Sequence, residues 1–127
     1  ALIEQGGKDI VGPFDGEEAV TLLADLDAGA TGTMTSAMFP DKIKPIVTEY
    51  LAGNKDAALD HWKLCMPLIN HENRQCGLRA AKTVMKEGGV IKSDFVRHPL
   101  KPMSDRTKAR LIGLASELDV LALKWGK

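Results

Sequence analysis

Two short stretches of the chain carry polar residue types that could contact a bound substrate. The first, Phe14–Glu18, places Asp15, Gly16 and two glutamates in succession, and the second, Thr33–Ser36, is rich in hydroxyl groups. A carboxylate accepts hydrogen bonds well from neighbouring hydroxyl groups, and a buried carboxylate without such partners destabilises the fold. The functional interpretation is that a carboxylate of the first stretch and the backbone of Gly16 face a bound substrate, whereas Thr33 and Thr35 are expected to serve packing.

A strand, a helix and a second strand must position these stretches. Apolar Ile10, Val11 and Phe14 predict a short first strand. The segment Thr31–Ser36 is rich in β-branched residues and predicts the second strand. Between the two, apolar residues recur with the spacing of one helix face, namely Ala19, Leu22, Leu23 and Leu26. Gly29 is expected to end this helix.

Two strands joined by one helix and tight loops form a βαβ unit, whose strands are parallel. Ligands of parallel sheets and barrels bind outside the carboxyl ends of the strands. In this chain those ends are the segments 14–16 and 36–39. The candidate site is therefore predicted at the ends of these two strands.

The acidic stretch also fits the start of a helix. Asp15 is a good N-cap residue, Gly16 permits the turn, and Glu18 stands at the spacing of a capping box. Glutamates in the first turn also favour the helix dipole. The capping and binding interpretations remain open together, because Asp15 and Gly16 could serve in both.

The rest of the chain is predicted to be helical. A clean apolar stripe predicts a helix over Asp41–Leu51, which completes a second strand–helix unit. Three more helices follow: one around residues 58–69 that bends or ends near Pro67, one around 77–85 that ends at Gly88, and one from Ser104 to Trp125. We therefore divide the chain into strand–helix units over 1–53 and a three-helix extension over 54–127.

Composition excludes several classes of protein. Lysine plus arginine and aspartate plus glutamate both number 17, so the net charge is zero. Without a basic stripe or interleaved aromatic residues, nucleic-acid binding has no support. No apolar run reaches the length of a membrane span and no signal peptide is evident, so we expect neither membrane insertion nor export. The chain is predicted to be cytoplasmic.

The cysteines and histidines are weak candidates for a site. Cys65 and Cys76 are expected to be buried thiols in a chain of cytosolic character. His61 and Cys65 lie four residues apart, and His71 precedes Cys76, which meets metal-ligand spacing only loosely. A dedicated metal site would need a fourth ligand and a more regular spacing of the ligands. We therefore predict no metal site.

The motifs resemble the dihydrodipicolinate synthase/N-acetylneuraminate lyase family of Schiff-base (β/α)8 enzymes. The resemblance begins in Phe14–Glu18 and Ala28–Ser36, where the family has an acidic Gly-containing loop, a helix and then Gly-Ala-x-Gly-x-Ile-Ser. It continues through Glu72–Arg74, Ala80–Lys82 and Arg97–Leu100, and so covers essentially the whole chain. Within the family, the sequence most resembles the branch that dehydrates 2-keto-3-deoxy-L-arabinonate. Asn73-Arg74 departs from the Asn-Pro common in the family, which leaves a role for Asn73 open.

The resemblance implies an α/β fold that is the C-terminal portion of a (β/α)8 barrel. A complete barrel takes roughly 250 residues, whereas this chain has 127 and does not begin with Met. We therefore expect the last two strand–helix units of a barrel followed by a C-terminal helical extension. The missing N-terminal part of the barrel would then be a partner of this chain, and the family is commonly tetrameric.

The resemblance also implies substrate-binding positions. Gly16 matches a glycine that lines the pocket, and Glu18 matches an acidic residue that binds sugar hydroxyls in the sialic-acid lyase branch. Ser36 matches a serine that contacts substrate hydroxyls in that branch. Met34 replaces an isoleucine that lies beside the Schiff-base lysine. With Asp15, these are the five predicted substrate-binding residues of the chain.

No lysine of this chain fits the Schiff-base role, which requires an apolar pocket and a depressed pKa. The resemblance places that lysine upstream, so this chain alone is expected to be inactive, with no catalytic residue of its own. The implied enzyme is a hydro-lyase that dehydrates a 2-keto-3-deoxy sugar acid without a cofactor. Two alternatives stay open: a dihydrodipicolinate synthase or pyruvate-dependent aldolase, and a non-enzymatic helical interaction module.

Overall fold

The structure is a computed structural model that describes residues 2–127. A short helix, α1 (Leu2–Gly6), and a 3-10 turn (Gly7–Asp9) precede the first strand, β1 (Phe14–Asp15). Helix α2 (Leu22–Asp27) leads to strand β2 (Gly32–Thr33). The remaining elements are helical, namely α3 (Pro40–Leu51), α4 (Lys55–His71), α5 (Arg79–Glu87) and α6 (Asp105–Glu117), with a π-helical turn at Glu72–Cys76 and a 3-10 turn at Leu121–Leu123.

Strands β1 and β2 are parallel neighbours, as the βαβ pattern predicts. Phe14 lies opposite Gly32, and Asp15 lies opposite Thr33. The amide of Met34 donates to the carbonyl of Asp15 at 2.8 Å and so extends the pairing by one residue. In residues 2–127 this two-stranded sheet is the only sheet. The carboxyl ends of both strands lie at one edge, where the candidate site was expected.

Both strands are shorter than the sequence predicts. Ile10 and Val11 lie outside β1, and β2 covers only two residues of the expected Thr31–Ser36. Upstream of β1 the ladder stops at Pro13, whose carbonyl accepts from Thr31 at 3.0 Å but which has no N–H to donate. The segment 10–12 is therefore placed by the chain on either side of it and not by the sheet.

The predicted start of the helix between the two strands is wrong. Helix α2 begins at Leu22, with Thr21 as its N-cap residue, and the capping box of Asp15 and Glu18 does not form. Glu18 and Ala19 have φ angles of +54° and +69°, in the left-handed region that a helix cannot continue through. The acidic stretch is consequently a shaped loop between β1 and α2.

The helical half of the chain follows the prediction with two corrections. Helix α4 runs through Pro67 and does not end there, and the π-helical turn continues it to Cys76. The last helix, α6, begins after Ser104 as predicted, and the Ser104 hydroxyl accepts the N–H of Thr107 at 3.2 Å. It ends at Glu117 and not at Trp125, because Asp119 adopts a φ of +48°.

One hydrophobic core joins the strand–helix segment to the helices that follow it. Buried apolar side chains from both parts belong to the same cluster, including Leu22, Phe39, Ile46, Leu68, Ile69, Val84 and Leu111. The indole N–H of Trp62 on α4 also donates to the carbonyl of Ala19 at 3.0 Å. The β1–α2 loop is therefore fixed from the side of the helical extension. No helix in the described chain is long and apolar enough to cross a membrane.

Candidate functional site

Asp15 holds the ends of the two strands together. Its carboxylate is 3% exposed and accepts from the Ala19 amide at 3.2 Å and the Thr33 hydroxyl at 2.5 Å. The third donor, the Thr21 hydroxyl at 3.2 Å, shares its one hydrogen with Asp25 at 2.7 Å. A buried carboxylate with three donors is well satisfied. Asp15 thus shapes the loop that carries Gly16 and Glu18.

Gly16 and Met34 lie next to each other beyond Asp15. Gly16 is exposed, and a Cβ on it would be 3.8 Å from the terminal methyl group of Met34, an ordinary contact. The Met34 side chain is 64% exposed. The structure therefore brings together two of the predicted site residues, one from each strand end, on an open surface.

Glu18 and Ser36 line one pocket of about 320 Å³, between the strand ends and the start of α5. Ser36 is 7% exposed, and its Oγ accepts the amide hydrogen of Met38 at 3.3 Å. One carboxylate oxygen of Glu18, Oε2, is buried and has no hydrogen-bond partner. The left-handed φ of Glu18 carries a strain cost of order 1–3 kcal/mol. The strained loop therefore places an unsatisfied acceptor beside a buried hydroxyl.

Glu72 also lines this pocket and is not among the residues predicted for the site. It is the first residue of the π-helical turn, is 4% exposed and also has a buried Oε2 without a partner. Burial raises the pKa of the Glu72 carboxyl to about 7, the charge of Glu18 acts in the same direction, and a hydrogen bond with Ser36 opposes both. A signal for Glu72 existed, since it continues the buried stripe of Cys65 and Leu68 at helical spacing.

A second pocket lies on the other side of Glu18. It has a volume of about 410 Å³ and is lined by Gly16, Glu17, Glu18, Val20, Met66, Asn70, Asn73 and Arg74. Asn73 separates the two pockets together with Glu18 and donates its side-chain amide to the carbonyl of Ile69 at 3.0 Å. Asn73 thus secures the end of α4 next to the site.

The largest cavity, about 700 Å³, is elsewhere, between α5, α6 and the segment 93–103. Two of the lysines that line it are paired with one acid: Asp94 lies 2.7 Å from Lys86 Nζ and 3.3 Å from Lys108 Nζ. The hydrogen bond from Lys86 holds the pKa of the Asp94 carboxyl below its usual value. We therefore locate the candidate site at the strand ends, where buried polar atoms lack partners, and not at the largest cavity.

The cysteines are buried thiols, as predicted. Cys65 and Cys76 are free and buried, and burial raises the pKa of each thiol to about 11. Thiols with such pKa values are protonated and unreactive at neutral pH. Within residues 2–127, no group of three or more histidine, cysteine or acidic side chains could hold a metal ion.

Comparison with known proteins gives a consistent set of relatives. The sequence pattern of the dihydrodipicolinate synthetase family matches residues 3–118. The L-2-keto-3-deoxyarabonate dehydratase of Azospirillum brasilense is 52% identical over 124 residues, which are 98% of this chain and 40% of that protein.

Two solved structures share the fold. The dihydrodipicolinate synthase of Rhodopseudomonas palustris superimposes with a TM-score of 0.80 at 27% identity, over 91% of this chain and 39% of that one. A monomeric dihydrodipicolinate synthase variant superimposes with a TM-score of 0.78 at 22% identity, over 94% of this chain and 40% of that one. The chain thus spans about 40% of the length of these relatives.

Proposed function

Because the chain belongs to the dihydrodipicolinate synthetase family, we propose that it is the C-terminal part of a Schiff-base-forming lyase that dehydrates a 2-keto-3-deoxy sugar acid. The observation that carries this proposal is the pocket at the strand ends, where Ser36 is buried beside the unsatisfied carboxylate oxygen of Glu18. Such a pair suits a substrate with several hydroxyl groups. The 52% identity to a protein named as a keto-deoxy sugar acid dehydratase supports the same substrate class.

The proposed barrel supplies what the two-stranded sheet lacks. Residues 1–53 would be the last two strand–helix units, and residues 54–127 the helical extension. Large apolar side chains near the strands are exposed, with Val11 at 89%, Phe14 at 52% and Met34 at 64%. Both strands of the sheet are also edge strands, with unpaired backbone groups. Neighbouring barrel strands would cover these side chains and pair these groups.

The proposed reaction assigns the imine to a lysine outside this chain. No lysine lines either pocket that contains Glu18, which supports that assignment. A lysine amine would condense with the C2 keto group and release water, and the imine would acidify the C3 proton. Loss of that proton and departure of the C4 hydroxyl as a second water would leave a conjugated imine on the lysine. Proton shifts would carry the double bond toward C5 and give the aldehyde, and hydrolysis of the imine by one water would release the product and return the free lysine. The net reaction would lose one water, without a metal or an organic cofactor.

The residues of this chain would form one wall of the substrate pocket. Asp15 holds the loop in shape, and Gly16 lets the substrate approach the backbone. Glu18 and Ser36 would accept and donate hydrogen bonds to substrate hydroxyls. Met34 would pack beside the imine. In the assembled protein, the exposed helical surface of the extension is available for subunit contacts, and we propose a tetramer.

Borohydride trapping tests the Schiff-base part of the proposal. The full-length protein that carries this chain is incubated with pyruvate and sodium borohydride, and the intact mass is measured. A covalent adduct that retains the pyruvate carbons, on a lysine outside residues 1–127, is expected. A protein that dehydrates or cleaves a keto acid without any trappable adduct would contradict it.

A further inference from the structure

Glu72 is a buried acid that the proposed reaction has not used. Its side chain is 4% exposed, and its Oε2 atom has no hydrogen-bond partner. It comes from the helical extension, in the π-helical turn after α4, and not from the strand–helix units. A buried carboxyl with an open oxygen is costly for the fold unless a ligand or another group satisfies it.

The candidate pocket brings the Glu72 side chain together with two other polar side chains. Glu72 lines the 320 Å³ cavity together with Glu18 and Ser36, so that groups from three separate segments converge there. Glu18 contributes a second buried oxygen without a partner. Ser36 already accepts from the Met38 amide and interacts with Glu72 through a hydrogen bond. Two oxygens without partners and a hydroxyl in one pocket can accept and donate hydrogen bonds to the hydroxyl groups of a polyhydroxylated chain.

We propose that Glu72 is a further substrate-binding residue, which binds a hydroxyl of the sugar acid jointly with Glu18 and Ser36. This inference rests on the proposed function and extends it to the helical extension, which then closes the pocket and does not merely pack beside the barrel. It also assigns the buried acid a role in specificity, because pyruvate has no hydroxyl group that could reach it.

The protonation of Glu72 suits this role. The groups that face it are the Glu18 carboxylate, the Ser36 hydroxyl and the thiol of Cys76 in the same turn. Burial and the Glu18 charge both raise its pKa, to about 7. At neutral pH a large fraction of the carboxyl is therefore an acid that can donate one hydrogen bond and accept another. Glu18 and Glu72 can then stand together in one pocket without two full negative charges.

The test compares three variants of the full-length protein: Glu72→Met, Glu72→Gln and Glu87→Gln. Methionine keeps the length of the side chain but removes its hydrogen bonds, whereas glutamine retains both a donor and an acceptor. Glu87, at the exposed end of α5, is the matched control. For each variant, KM and kcat are measured with 2-keto-3-deoxy-L-arabinonate. The extent of borohydride trapping is measured with pyruvate, and the melting temperature is measured as a check on folding.

Glu72→Met is expected to raise KM for the sugar acid by about 10-fold to 100-fold, because the substrate loses a hydrogen bond to a buried polar group. Pyruvate trapping should stay at the wild-type level, Glu72→Gln should change KM only a few-fold, and Glu87→Gln should match the wild type. If the wild-type protein traps pyruvate but Glu72→Met leaves KM unchanged, the inference about Glu72 fails alone. If the wild-type protein neither traps pyruvate nor converts the sugar acid, the proposed function fails and the inference with it.

A variant with a shorter acid covers the case in which Glu72→Met does not fold. Glu72→Asp keeps a polar carboxyl but withdraws it from the pocket by one methylene group. It is expected to raise KM for the sugar acid with pyruvate trapping unchanged. A folded Glu72→Asp protein with wild-type KM would overturn the proposal.

Discussion

The hydroxyl groups of Thr35 and Ser36 differ in their hydrogen bonds and in the cavities that they line. Ser36 accepts an amide hydrogen and lies in the pocket with Glu18. The Oγ1 atom of neighbouring Thr35 is buried without any partner in this structure, and Thr35 lines a different cavity, against α3. The two adjacent residues therefore offer a matched pair for testing the substrate site.

Replacement of Ser36 by alanine removes the hydroxyl from the pocket with almost no change in volume. We expect Ser36→Ala to raise KM for a 2-keto-3-deoxy sugar acid by about 10-fold in the full-length protein, the loss of roughly one hydrogen bond. Thr35→Val, which removes a hydroxyl outside that pocket, should leave KM within two-fold, a margin well below one lost hydrogen bond. Steady-state kinetics of both variants test this difference in KM. Equal effects of the two substitutions would mean that Ser36 does not bind the substrate.

The Glu72 carboxyl should make stability depend on pH. Its pKa in the folded chain, about 7, lies above the ordinary value of 4.5. The folded state therefore binds this proton more tightly, and the free energy of unfolding falls as pH rises from about 5 to about 7, then levels off. The total change from this group is roughly 3 kcal/mol at most. Urea unfolding of the wild-type protein and of Glu72→Gln at pH 5, 6, 7 and 8 measures this change in the free energy of unfolding.

Glutamine cannot titrate, so the difference in unfolding free energy between the two proteins isolates the carboxyl. Wild type should lose stability relative to Glu72→Gln across this pH range. A difference that stays constant from pH 5 to pH 8 would mean that Glu72 titrates normally in the folded chain.

The β1–α2 loop shows how a distant contact overrides a local signal. Asp15 followed by Glu18 has the spacing of a helix start, and nothing near it in the sequence contradicts that. In the structure, Asp15 binds the Thr33 hydroxyl of the neighbouring strand, 18 residues away. That bond holds the loop out of the helix, and α2 begins only at Leu22. Local capping preferences could not reveal this, because the deciding partner is a strand residue.

Elements with a strong local signal were predictable from the sequence. The parallel βαβ unit, the Ser104 cap and the end of α5 near Gly88 were confirmed. Strand lengths were not, because the sheet pairing stops at Pro13. The role of Glu72 was also missed, because an acid on a buried helix stripe becomes significant only when the pocket beside it is known.

Asp15→Asn should loosen the junction of β1, β2 and the loop. The asparagine amide group presents hydrogens where one of the carboxylate oxygens now accepts from Ala19, Thr21 or Thr33. A loss of about 1–3 kcal/mol in the free energy of unfolding is expected. Asp25→Asn is the control, because the bond from Thr21 to Asp25 is exposed and should cost less than about 1 kcal/mol. Chemical denaturation measures the free energy of unfolding of both variants. Equal losses of stability would mean that the hydrogen bonds of Asp15 do not stabilise this junction.

At the scale of the whole molecule, β1 and β2 leave open sheet edges, and Val11, Phe14 and Met34 expose apolar surface beside them. Expressed alone, residues 1–127 are expected to self-associate through these edges. Light scattering after size-exclusion chromatography measures this, with the full-length protein as the control. A monodisperse monomer with a cooperative thermal transition would favour the helical interaction module instead.

The identity of the product tests the central claim most directly. The full-length protein is incubated with 2-keto-3-deoxy-L-arabinonate, and the products are identified by mass spectrometry. The proposed dehydratase predicts 2-oxoglutarate semialdehyde, lighter than the substrate by one water, with no pyruvate released. Release of pyruvate by carbon–carbon cleavage, with no dehydrated product, would contradict the account and identify the protein as an aldolase.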